Sequence, residues 1–186
     1  MKPHALKPQD VLVVLKLLCI GEEEWSFTQL AKSLGLSVGA AHNAVTNLRA
    51  SRLVFEKDGG AEVARRKLLD FLIYGVPSVF YPIRGGIARG VPTSVFAPPL
   101  REKLTIADND VPMVWPVANG RVNGETLEPL YETVPKAAAN DARLYEYLVL
   151  VDAVRVGKAR EKKMASELLE ARILTKSEKE SKEPAA

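Results

Sequence analysis

Cysteine and histidine are almost missing from this chain of 186 residues, which contains one cysteine and two histidines. A single cysteine cannot form an internal disulfide, and the apolar stretch around Cys19 indicates a buried thiol in a reducing compartment, so we expect a cytoplasmic protein. His4 and His42 provide almost no material for a histidine-based zinc site or a Ser-His-Asp triad. We therefore expect no metal site and no cofactor.

Carboxylate pairs are the remaining material for catalysis. Asp108 with Asp110, and Glu125 with Glu128 and Glu132, could in principle serve acid–base or Mg²⁺ chemistry. Carboxylates on loops and helix surfaces are usually only solvated. We therefore predict that the protein is not an enzyme.

Long apolar runs are also missing. No stretch approaches the roughly 20 apolar residues of a membrane span, and the N-terminal sequence lacks the features of a signal peptide, so no membrane partner is expected. At 47% hydrophobic and 26% charged residues, the composition is that of a folded globular protein. We predict a small domain at residues 1–75, a second region at 76–174, and a disordered, apolar-poor tail at 175–186.

Positive charge is in small excess, with a formal net charge of +3. None of this excess comes from residues 1–62, where seven Lys and Arg are offset by seven Asp and Glu, so it is weak support for nucleic-acid binding. Affinity for phosphates scales with the number of phosphates neutralised, and a local patch would have to provide it. The available cations near the N-terminal domain are Lys32, Arg49, Arg52, Lys57, Arg65, Arg66 and Lys67.

Residues 26–55 carry the clearest pattern, which predicts two short helices joined by a tight turn. Ser26 or Thr28 can cap the first helix, and Gly35 can end it in the left-handed conformation. The apolar faces of the two helices are Leu30, Ala31 and Leu34, and then Ala41, Ala44, Val45 and Leu48. Ser37 precedes the second helix as its cap.

The outward face of the second helix is small, neutral and hydrogen-bonding, where an ordinary solvent face would be rich in Lys and Glu. Such a face can enter the DNA major groove, with polar side chains reaching base edges or phosphates. Helix-turn-helix units also serve as protein-docking or dimer modules, which is the alternative interpretation. The predicted DNA-binding residues are Ser37, Val38, Gly39, Ala40, His42, Asn43, Thr46, Asn47, Arg49, Arg52 and Lys57.

A short β-wing is expected next, with strands at 53–57 and 60–63 around an Asp58-Gly59 turn. A preceding helix begins near Pro8 with an apolar face that includes Val11, Leu15 and Cys19. A further helix follows the wing and ends at Gly75.

Proline and glycine dominate residues 76–100. We predict two short strands, 79–81 and 93–96, flanking the glycine-rich loop RGGIARG. That loop lacks the Lys and Ser/Thr of a P-loop. Its Arg84 and Arg89 suit a phosphate, a carboxylate or a DNA groove. A buried segment is expected around Trp115, and helix returns from Glu125 with a break or restart at Pro135.

The last predicted helix begins near Asn140 or Asp141 and continues to about Leu174. Its stripe of Leu144, Leu148, Val151 and Val154 is the expected dimer surface. Its basic middle is either a solvated face paired with nearby glutamates or a contact for an acidic partner or DNA backbone. The predicted partner-binding residues are Arg84, Arg89, Arg155, Lys158 and Lys162.

Several stretches carry a resemblance to known families. LAKSLGLS at 30–37, the helix at 38–50 and RLV at 52–54 resemble a winged helix-turn-helix of the MarR-like kind. ARGVPTSVFAPPL at 88–100, LEPLYETVPKAA at 127–138 and LVDAVRVGKARE at 150–161 are similar to small bacterial winged-helix proteins paired with nucleotidyltransferase-like toxins.

The resemblance implies a mainly helical α+β protein. We expect an N-terminal winged helix-turn-helix, a Gly/Pro-rich segment of small strands, and C-terminal helices. The expected function is an autoregulatory repressor that binds specific double-stranded DNA as a homodimer. The alternative is an antitoxin-like protein that neutralises a protein toxin through its C-terminal region.

Overall fold

The first helices and the wing lie where the sequence predicts them, in an α+β fold that is mainly helical. A computed structural model describes residues 5–57, 60–107 and 109–180, with backbone alone for 175–180. The N-terminal elements are α1 (Pro8–Ile20), α2 (Phe27–Leu34), α3 (Val38–Ala50), β1 (Val54–Lys57) and β2 (Gly60–Val63). The two strands pair antiparallel with Lys57 opposite Gly60, so the wing is short. The predicted Asp58-Gly59 turn lies outside the described residues.

The helix after the wing does not end at Gly75. The segment α4 (Arg65–Asp70) continues through a π-helical turn (Phe71–Gly75) into α5 (Val76–Val79). The wider π turn closes through a hydrogen bond from the Val76 N–H to the Phe71 carbonyl, and Pro77 then falls in the first turn of α5. A residue in the first turn of a helix does not need a backbone N–H to form an intrahelical hydrogen bond. Pro77 is therefore accommodated without ending the helical segment.

The glycine-rich segment is a strand, so the predicted loop is wrong. Three strands, β3 (Arg84–Pro92), β4 (Met113–Pro116) and β5 (Val122–Leu127), form a small closed sheet in which only β4 and β5 run parallel. A Cβ atom on Gly90 would overlap the Trp115 carbonyl oxygen, and one on Gly124 would overlap that of Pro112. Gly90 and Gly124 therefore allow the backbones of neighbouring segments to approach closely.

Three further predictions in this region are also wrong. Residues 79–81 leave the end of α5 rather than forming a strand, and residues 94–96 form a 3₁₀ turn. Residues 125–127 belong to β5, so helix does not return at Glu125. It returns at α6 (Val134–Ala139), where Pro135 occupies the first turn as expected. Trp115 is buried, which confirms the predicted buried segment.

Two helices stand where one was predicted at the C-terminus. The helix α7 (Ala142–Val156) begins at Asp141, whose carboxylate accepts the Leu144 N–H at 3.0 Å. Gly157 then adopts an extended conformation, and the Lys158 N–H donates to Glu161 Oε2 at 2.7 Å, which starts α8 (Ala159–Glu180). The helical backbone continues past the expected end at Leu174. Residues 181–186 of the predicted tail lie outside the described residues.

The helix α7 runs through the centre of the molecule, and the expected dimer stripe is buried inside the chain. Its buried apolar residues belong to one core that also contains residues of α1, α2 and α3. Lys16 Nζ on α1 lies 2.7 Å from Asp141 Oδ2, and Arg143 donates to the Cys19 carbonyl at 3.1 Å. The helix α8 and the N-terminal helices cover the surface that a second copy would have needed. None of the described helices is long and apolar enough to cross a membrane.

Candidate nucleic-acid interface

The turn between α2 and α3 is built from local hydrogen bonds that the sequence encodes. Ser26 and Gln29 cap α2 reciprocally, at 3.2 Å and 2.9 Å. Gly35 takes φ 67° and ψ 30°, and the Leu36 N–H closes the helix on the Ala31 carbonyl at 2.9 Å. Ser37 Oγ then accepts the Ala40 N–H at 3.1 Å and starts α3. These bonds fix the angle at which α3 leaves the turn.

The helix α3 has an inner and an outer face, as predicted. Its inner side chains, Ala41, Ala44, Val45 and Leu48, are buried in the core. Among the outer residues, Ser37, Val38, Gly39, His42, Asn43 and Thr46 are exposed, and Ala40 is half-buried. An outward ridge of small and polar side chains therefore runs along the first two-thirds of α3.

Gly39 lies in the first turn of this ridge. A Cβ atom built on it would meet nothing within 4 Å, so no intramolecular contact requires a glycine. Its neighbour Val38 is apolar and 48% exposed. The start of α3 therefore presents a smooth, partly apolar surface that another molecule can approach closely.

Three polar residues of the ridge differ in whether their side chains already have a partner within the molecule. The His42 ring lies against Phe27 with centroids 5.1 Å apart, and Thr46 Oγ1 donates to the His42 carbonyl at 3.0 Å. The Asn43 side chain has no hydrogen-bond partner within the described ranges, so both the donor and the acceptor of its carboxamide are available. That combination suits a bidentate contact with an adenine edge.

Asn47 does not belong to the outer face, contrary to the prediction. It is half-buried, and its side-chain amide donates to Asp10 Oδ2 of α1 at 3.1 Å. The same oxygen accepts the Lys7 N–H at 2.9 Å, while Asp10 Oδ1 is buried without a partner in the described part of the chain. Burial raises the pKa of Asp10, against the opposing effect of these hydrogen bonds. Asn47 therefore holds α3 against α1.

Arg52 ends α3 instead of starting a strand. Its φ of 57° is left-handed, and the Leu53 N–H closes the helix on the Leu48 carbonyl at 2.9 Å, so β1 begins only at Val54. Arg49 turns toward the wing, donating to the Gly60 carbonyl at 3.4 Å and lying 3.8 Å from Glu56. The side chains of Arg49 and Arg52 are both exposed at this end of α3.

The remaining cations of the expected phosphate patch are mostly engaged elsewhere. Lys57 lies 3.4 Å from Glu62 across the wing. Arg65 donates to the Ile173 carbonyl at 3.0 Å, Arg66 approaches Glu170 at 3.5 Å, and Lys67 donates to the Ser51 carbonyl at 2.7 Å. In the described part of the chain, only Lys32 and Arg52 of this set have no partner. The face around α3 is therefore lightly charged.

One member of the predicted partner-binding set lies inside the molecule. Arg155 is buried, and its guanidinium binds Asp152 at 2.7 Å and the Phe80 carbonyl at 2.9 Å, so its prediction as a surface contact is wrong. Asp152 also accepts hydrogen bonds from Thr93 at 2.8 Å and Trp115 at 2.7 Å. Burial raises the pKa of Asp152, and the charge of Arg155 opposes that shift. This network ties the three-stranded sheet to α7.

The other four partner-binding residues are exposed. Arg84 lies 3.6 Å from Glu125 and donates to the Val156 carbonyl at 3.4 Å, which places it beside the end of α7. Arg89 lies further along β3, and Lys158 and Lys162 lie at and just after the start of α8. The structural roles of Asp10 and Asp152 escaped sequence reasoning, although an acidic residue in the first turn of α1 signals a cap.

Comparison with known proteins adds no relative. No family model matches the chain, and no curated protein or solved structure is significantly similar to it. Within the described ranges, no group of three His, Cys, Asp or Glu side chains could hold a metal ion.

Proposed function

We propose that the protein is a transcriptional regulator that binds specific double-stranded DNA through α3. The proposal rests on one observation above the others, which is the exposed glycine at the start of that helix. Glycine is less favourable than alanine in a helix by up to about 1 kcal/mol. Because Gly39 has open space around it, packing within the chain does not explain its presence. A close approach of this part of α3 to the wall of a DNA groove accounts for the glycine.

The surrounding residues support the same function. Val38 can contact a thymine methyl group, and Asn43 offers a free amide to a base edge. Lys32 and Arg52 are the cations left for phosphates. With so few phosphate contacts, affinity should depend weakly on salt, and base contacts should supply a large share of it.

Selection from a pool of random duplexes tests the proposal directly. The wild-type protein should enrich one motif, and Asn43→Ala should relax the preference at one or two positions. Gly39→Leu should abolish selection while the protein remains folded, because the new side chain points into open space. Ala159→Leu, at another exposed helix start, is the matched control and should select the wild-type motif. Absence of any enriched motif would remove the proposal.

The antitoxin-like alternative is less well supported. Its contact set included Arg155, which lies inside the molecule. Of the four cations that remain exposed, Arg84 is already engaged with Glu125 and the Val156 carbonyl. A complementary acidic partner would therefore meet a weaker field than the sequence suggests.

A further inference from the structure

Exposed apolar side chains concentrate in one short segment. Eight large apolar residues are exposed among those that the structure describes, and four of them fall within nine residues, namely Val79, Tyr81, Ile83 and Ile87. Their exposed fractions lie between 50% and 67%. We call these four residues the 79–87 surface. A concentration of exposed apolar side chains in one segment indicates an interaction site more often than single exposed residues do.

The same segment contains a strand edge that the described strands do not cover. One edge of β3 pairs with β5 as far as Gly90, whereas β4 reaches the other edge only at Gly90–Pro92. Glu125 donates its N–H to the Pro112 carbonyl at 2.8 Å, so its backbone faces away from β3. The Ile87–Glu125 pair is therefore a non-hydrogen-bonded one, and the N–H and C=O of Ile87 point to the uncovered edge.

A neighbouring contact agrees with this alternation. The Arg89 carbonyl, two residues along and on the same edge, accepts the Val117 N–H at 3.1 Å. Gly86 is exposed, and an added Cβ atom there would meet no described residue within 4 Å, so the strand is open to solvent at this position. An open apolar edge is a surface that proteins normally cover or blunt.

We propose that the 79–87 surface and the uncovered edge of β3 bind a second copy of this chain about a two-fold axis. A strand that pairs antiparallel with its own copy about a two-fold axis repeats every donor–acceptor contact at the symmetry-related position, so the edge is complementary to itself. Centring the axis on Gly86 keeps the pairing within residues 84–88. Arg84 then faces Ala88 of the other copy, and no two arginines oppose each other.

The bulge in β3 between Arg84 and Ile87 limits how far the two strands can pair. Tyr81, Ile83 and Ile87 therefore have to supply most of the buried apolar area. The choice of a second copy rests in part on the proposed function, because two copies of α3 on a two-fold axis read two half-sites of one DNA site.

Sedimentation equilibrium of the full chain without DNA tests the interface. At tens of micromolar the wild-type protein should have the mass of two copies, and Ile87→Lys should raise the dissociation constant of the dimer at least tenfold. Val111→Lys places the same charge on an exposed apolar residue outside the surface and should change nothing. Circular dichroism should be the same for all three, because both substituted side chains are exposed. Urea unfolding should also be the same at a protein concentration low enough for the wild type to be monomeric, since dimerisation itself stabilises the folded state.

Either of two results would overturn the inference. One is a wild-type protein that is monomeric, and the other is an Ile87→Lys protein that associates as tightly as Val111→Lys. Duplex selection with the same samples separates this failure from that of the proposed function. A monomer that enriches a DNA motif overturns the dimer alone. A dimer that Ile87→Lys dissociates but that enriches no motif supports the interface and overturns the DNA-binding proposal.

Discussion

Asn47 of the candidate recognition helix and Asp10 of the first helix are joined by a hydrogen bond of 3.1 Å between the side-chain amide and a buried carboxylate oxygen. The bond fixes one side of α3 relative to α1. Because Asn47 lies at the border of the exposed ridge, its side chain positions the ridge and does not extend it.

Replacing Asn47 by alanine should therefore destabilise the fold without changing base preference. Asp10 would lose one of its two donors in a buried site, and we expect the free energy of unfolding in urea to fall by about 1–3 kcal/mol. Asn43→Ala, one helical turn earlier and exposed, is the matched control and should leave unfolding unchanged while altering DNA selection. A relaxed motif for Asn47→Ala at unchanged stability would contradict this assignment.

The ion pair between Lys16 and Asp141 makes stability depend on pH. Burial alone would raise the pKa of Asp141, but the hydrogen bonds from Lys16 and the Leu144 N–H outweigh it, so the pKa lies below its usual value. The stabilisation is therefore present above the ordinary pKa of about 3.9 and is lost as pH falls through the lowered value. Asp141→Asn keeps the helix cap and removes the charge.

We expect Asp141→Asn to be less stable than the wild type by about 1 kcal/mol near neutral pH, since the pair is partly buried. The difference should shrink as pH falls below about 4, where the wild-type carboxylate becomes protonated. Urea unfolding between neutral pH and pH 3 measures it. Lys16→Met should remove the same pH-dependent part of the free energy of unfolding. If the difference in stability between wild type and Asp141→Asn stays constant with pH, the ion pair is not its source.

Asp152 should be the most sensitive single position outside the apolar core. Its replacement by alanine would leave the buried guanidinium of Arg155 without a counter-charge and would remove the acceptor of Thr93 and Trp115. Breaking one side of a buried ion pair destabilises by about 3–5 kcal/mol. Asp70→Ala removes an exposed carboxylate and should change the unfolding free energy by about 0.5 kcal/mol or less. Equal effects of the two substitutions in guanidinium unfolding would refute the network.

The helix ends and the inner face of α3 could be predicted from the sequence alone. The cap at Ser37 and the left-handed Gly35 were predicted correctly, and the caps at Ser26 and Asp141 were each one of two predicted candidates, because each depends on hydrogen bonds within about five residues of chain. The inner stripe of α3 was also predicted correctly, since an apolar face at helical spacing must be buried by something. The winged arrangement of the first five elements follows from these signals.

Only the tertiary structure decided what covers each face. The stripe on α7 could have met a second copy or the rest of the chain, and its periodicity is the same in both cases. The glycines of β3 suggested a loop until Gly90 met the Trp115 carbonyl, a contact 25 residues away along the chain. Arg155 and Asn47 looked like surface residues because Phe80 and Asp10, which help to hold them inside the fold, lie 75 and 37 residues away. Asp152, three residues before Arg155, is itself buried only by the tertiary structure. Burial of a polar side chain is stable only with such a partner, and the residue's own neighbours in sequence do not reveal it.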